Sequence, residues 1–112
     1  MPSGPGEEKG EQRMTRWFVW KYVLDLDAEC TRVRMPRMAR FLSLQVQDGQ
    51  PVMWWDVVPT EPQAQWPTHS FYIVPTGPPG HADDLRPLGT FQLGRFVGHV
   101  FTDAFRAVSH AS

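Results

Sequence analysis

Asp48-Gly49, set between two runs of strand-forming residues, constrains this chain more than anything else in it. An Asp-Gly pair in that setting is the strongest short-range signal for a two-residue type I′ turn, because both central residues need positive φ. Residues 41–58 (FLSLQVQDGQPVMWWDVV) therefore read as a β-hairpin in which Gln47 faces Gln50. Alternation then places Leu42, Leu44 and Val46 on one face with Trp55, Met53 and Pro51. Ser43, Gln45 and Gln47 share the other face with Trp54, Val52 and Gln50. The first face reads as core. The second is polar with a tryptophan in it, and a large aromatic on a polar face points to a partner that covers it. Pro51 lacks an N–H, so the side of its strand away from the hairpin partner is expected to be an edge or a bulge. An oligomer would hide such an edge.

The remaining chain repeats the theme of short strands and turns. Eleven prolines and nine glycines in 112 residues favour turns over long helices, and 41% hydrophobic content suffices for a packed core. Residues 17–24 (WFVWKYVL) open as a strand, and 30–35 (CTRVRM) form a second that Pro36 ends. Residues 69–74 (HSFYIV) return as a strand, and 88–101 (LGTFQLGRFVGHVF) form a second hairpin around a type II′ turn at Gly94-Arg95. That turn pairs Leu93 with Phe96, Phe91 with Gly98 and Thr90 with His99, so that an aromatic ring covers a glycine. The expected fold is all-β: one antiparallel sandwich or partly open barrel of six to seven strands over residues 17–103. Residues 1–16 (MPSGPGEEKGEQRMTR) read as a flexible arm, and 104–112 as a tail with at most one helical turn.

Charge and cysteine content exclude several function classes. A net charge of −1 gives no electrostatic case for nucleic acid or membrane as partner. Cys30 is the single cysteine, which fits a reducing cytoplasm and rules out an internal disulfide. No apolar run reaches membrane-spanning length, and the N-terminal stretch lacks the apolar core of a signal peptide. Arg32, Arg34, Arg37 and Arg40 form the main basic cluster. They could contact a phosphate or an acidic partner, although a charged edge strand kept soluble explains them as well.

No catalytic constellation presents itself. Ser43, Ser70 and Ser109 lack the sharp strand-to-helix turn of an activated nucleophile, and Cys30 has no histidine at a recognisable spacing. His69, His81, His99 and His110 are scattered, so no metal centre and no cofactor are expected. His99 stands opposite Thr90 in the second hairpin, where a ring hydrogen-bonded to that hydroxyl is the plain expectation. The residues expected to touch a partner are Trp54, Gln45 and Gln47 on the polar face of the first hairpin, with Thr90, Gln92 and His99 on the second. Trp66, in the proline-rich loop 59–68, joins them unless it folds back as a lid over the core.

The motifs Trp20-Lys21-Tyr22, residues 41–47 (FLSLQVQ) with Trp54, Thr76-Gly77, residues 89–92 (GTFQ) and residues 99–101 (HVF) resemble a family of small phage-encoded proteins of unknown function. The chain departs from it at Pro75-Thr76-Gly77-Pro78-Pro79, where that family carries a histidine, and at Thr102, where it carries a glutamate. The resemblance implies a phage or prophage origin and a bacterial cytoplasm, and brings no activity with it. The expected function is thus a non-enzymatic phage accessory protein that binds a host protein or a small nucleotide-like ligand, as in host takeover or anti-defence. It would act as a homo-oligomer. The alternative is a virion-associated protein that reaches a neighbour with its N-terminal arm.

Overall fold

The computed structural model describes residues 15–104. Residues 1–14 of the expected arm over 1–16, and residues 105–112 of the expected tail, lie outside those residues. Seven strands follow one another: β1 (Phe18–Val23), β2 (Cys30–Arg34), β3 (Met38–Gln47), β4 (Gln50–Val58), β5 (Thr68–Pro75), β6 (Arg86–Leu93) and β7 (Phe96–Thr102). They form two antiparallel sheets, one of order β1-β4-β3 and the other of order β2-β5-β7-β6. No strand is shared, so there is no closed barrel.

Both turns form as the sequence demands. Asp48 and Gly49 take φ of 54° and 75°, the signature of a type I′ turn, and Gly94 takes φ of 61° at the first position of the other. The β3–β4 register runs as expected from Gln47 opposite Gln50 to Ser43 opposite Trp54. It then slips. Leu42 is a bulged residue without a β4 partner, and Phe41 takes the place opposite Trp55. Leu42, expected in the core, is 47% exposed, whereas the Phe41 ring packs edge-on to Trp55 at 5.5 Å. A bulge adds one residue to one strand and so inverts its alternation beyond that point, which sends Phe41 and Ala39 inward. Val46 is exposed beside the turn, and Val52, on the nominally polar face, is buried between Val23 and Gln45.

The edge expected at Pro51 is absent, because β4 is the central strand of its sheet. The β1–β4 ladder ends at Val23 opposite Val52, and the Leu24 N–H then donates to the Pro51 carbonyl at 2.9 Å. Pro51 lies opposite Leu24 at the end of this ladder, where its missing N–H forfeits only the terminal reciprocal bond.

The inner faces of the two sheets meet in one core. Met53, Trp55 and Val57 of β4 pack toward Phe71 of β5, Phe91 of β6 and Val100 of β7, with Leu24 and Met35 sealing the connections. Trp55 sits between Phe41 and Phe71, whose ring lies 6.0 Å away. Each such fully buried side chain contributes about 1.5–3 kcal/mol from apolar burial. Along one side β3 runs beside β6, so close that a Cβ on Gly89 would lie 3.4 Å from Leu44. Over another side the loop from β4 to β5 returns through a 3-10 turn (Gln63–Gln65). Its Trp66 ring lies against Trp20, tilted at 47° with centroids 5.5 Å apart, and its indole N–H donates to the Glu61 carbonyl at 3.0 Å. Trp66 is the lid.

Candidate functional site

Strand alternation gives each sheet an outer face, and the residues expected to touch a partner divide between them. On the three-stranded sheet Trp54 stands mid-strand in β4, opposite Lys21 of β1 and Ser43 of β3. The Lys21 ammonium lies 5.9 Å from the indole centroid and donates to the Gln47 side chain at 3.1 Å. This arrangement brings Trp54, Gln45 and Gln47 onto one surface. Val19 and Val23, two residues either side of Lys21 and so on the same face, are 58% and 41% exposed there. Arg40 closes one end, pairing with Asp56 at 3.1 Å and covering the Trp17 ring at 3.7 Å.

The arginine cluster does not survive as one stripe. Buried Met35 and Pro36 carry the chain from one sheet to the other, and the arginines part on either side of that crossing. Arg32 and Arg34 project from the edge strand β2 opposite Ser70 and Thr68. Arg37 sits in the connection, its N–H donating to the Glu61 carboxylate at 2.9 Å, and Arg40 is committed to Asp56.

On the four-stranded sheet His99 faces outward from β7 with both ring nitrogens engaged. One is hydrogen-bonded to the Thr90 hydroxyl at 2.9 Å and the other to the Thr76 hydroxyl at 2.8 Å. A ring so held has neither nitrogen available to a substrate without breaking a bond. Gln92 lies on the same face and donates to the Gly94 carbonyl at 3.2 Å. Trp66 joins neither group, since its ring and its N–H are both used within the fold.

Sequence reasoning missed a cavity of about 330 Å³ beside this second face. Tyr72 and Val74 of β5 line it from the sheet, and Pro79, His81 and Leu85 from the connection to β6. The His81 ring stacks on Phe101 at 3.8 Å and 22°. Gly77 and Gly80, at φ of 92° and 84°, let this loop turn back over the sheet. The available signal was the outward alternation of Tyr72 and Val74 in β5, too large and apolar for a plain solvent face. No Lys or Arg lines the cavity, so an anion would find no counter-charge there. Among the described residues no three His, Cys, Asp or Glu cluster as metal ligands, and no helix is long and apolar enough to cross a membrane.

No curated protein and no solved structure matches the chain. Residues 16–110 match a family described as a domain of unknown function, DUF7352.

Proposed function

The chain belongs to the DUF7352 family, and on that footing we propose that it is a two-layer β sandwich which acts by binding, not by catalysis, as a phage or prophage accessory protein in a bacterial cytoplasm. The phage assignment rests on the motif resemblance through Trp20-Lys21-Tyr22, residues 89–92 and residues 99–101. The binding reading rests on the outer face of the three-stranded sheet. There a half-buried Trp54 is bordered by two exposed valines, Val19 and Val23, with Lys21, Gln45 and Gln47 around them. An aromatic anchor with apolar neighbours and a polar rim is the anatomy of a protein–protein interface. The partner we assign is a host protein. The engaged nitrogens of His99, the best placed titratable group on either face, support binding over acid–base chemistry.

A paired substitution tests this. Trp54→Ala removes the anchor from a surface position and leaves stability within about 1 kcal/mol. Trp55→Ala empties a core site only 2% exposed and costs about 3–5 kcal/mol. With each folded variant as bait in host extract, the expected result is a host protein retained by the native chain and released by Trp54→Ala. Equal capture by both would place the interface elsewhere. Light-scattering mass on the same samples separates a second copy of the chain from a host partner.

A further inference from the structure

The cavity beside the four-stranded sheet is separate from the Trp54 face, and we propose that it binds a small aliphatic ammonium ion. Its volume of about 330 Å³ lies at the lower end of ligand cavities, which run from about 300 to 1,000 Å³. Such a space suits a short chain, not a nucleotide.

The lining sets the chemistry. Val74, Pro79, Ala82 and Leu85 are apolar, and Tyr72 adds an aromatic ring on which a cation can rest. His81 is held by its stack on Phe101, and its Nδ1–H donates to the Ala82 carbonyl at 2.8 Å. Glu29 and Asp84, from two different loops, are the acidic residues of the lining, and it is on exposed Glu29 that the charge recognition rests. No Lys or Arg shares the lining with these two carboxylates. A neutral ligand would offer the Glu29 carboxylate no counter-charge. An anion would meet two carboxylates and no lysine or arginine. An ammonium group on an aliphatic chain satisfies both halves of the lining, its charge at the acidic rim and its methylenes against proline, valine and leucine.

The test is an amide-shift titration of the isotopically labelled full chain with 1,5-diaminopentane, with pentanoate as the matched anion. Saturable shifts at Tyr72, Val74 and residues 80–85 are expected with the diamine and none with pentanoate. Added salt should weaken the binding, since the rim is exposed. Glu29 is an exposed loop residue, so Glu29→Gln should keep the native spectrum while weakening the diamine about tenfold, as loss of a charge-assisted contact does. Capped lysine, with both backbone ends blocked, is the second arm. Tighter diamine binding assigns free amines, and tighter capped-lysine binding assigns a lysine side chain of a peptide. Absence of saturable shifts, equal binding of pentanoate, or an unchanged affinity in Glu29→Gln would overturn the proposal.

Discussion

His69 shows how one side chain sets a condition on the whole fold. It lies half-buried in β5 opposite Val33, and burial pushes its pKa below the ordinary value, while the Asp103 carboxylate opposes that shift. The folded chain therefore resists a proton that the unfolded chain accepts below about pH 6.5. Stability from this residue is full above that pH and falls as pH drops through the folded pKa. Glu61 has the depressed pKa of a carboxylate that accepts the Arg37 backbone N–H, so its contribution is lost further down, as pH falls from the ordinary carboxylate range through the lowered folded value. The melting temperature is accordingly expected to fall between pH 7 and 5.5, and His69→Gln should flatten that slope. An unchanged slope in the variant would assign the dependence to another group. Thr102 acts at the same end of β5 in a different manner. Fully buried, its hydroxyl donates to the Ser70 carbonyl at 2.9 Å and accepts the Ala104 N–H at 3.0 Å, which satisfies each of these groups.

Among the elements, the second hairpin depends on a missing side chain. A Cβ at Gly98 would lie 2.6 Å from the Phe91 ring and 2.8 Å from Phe96, so Gly98→Ala must displace both aromatics. A loss of about 1–3 kcal/mol is expected, and Phe91→Leu in the same chain should recover part of it, measured as the coupling in a double-mutant cycle of urea unfolding. Strict additivity would mean that the rings yield without strain. Hairpins of this kind were legible in the sequence, since Asp48-Gly49 and Gly94-Arg95 fix both turn and register locally. The slip at Leu42 was not, because no residue there demands a bulge and only the packing of Phe41 on Trp55 selects it. Trp54 could be placed by simple alternation counted back from the turn. The cavity could not, since it exists only once β7 has paired with β5 and the loop after β5 has folded back to stack His81 on Phe101.

At the scale of the molecule, both sheets bury the same core, so neither has an interior of its own. Tryptophan fluorescence reports chiefly on the three-stranded sheet, where Trp20, Trp54 and Trp55 reside, whereas far-ultraviolet circular dichroism reports on all seven strands. The two are expected to give one coincident unfolding transition in urea. Separate midpoints would mean that one layer survives the other. The order of the strands has a consequence for synthesis. Each sheet draws its members from both sides of the other in sequence, and Cys30 of β2 waits for Tyr72 of β5. At about 5–20 residues per second the ribosome needs about 2–8 s to cover that interval. By the time Val58 emerges, the three-stranded sheet has all its members, yet Met53, Trp55 and Val57 still face water. Until β5 arrives, the nascent chain carries the one apolar surface that the finished molecule hides, and a chaperone at the exit tunnel would meet it there.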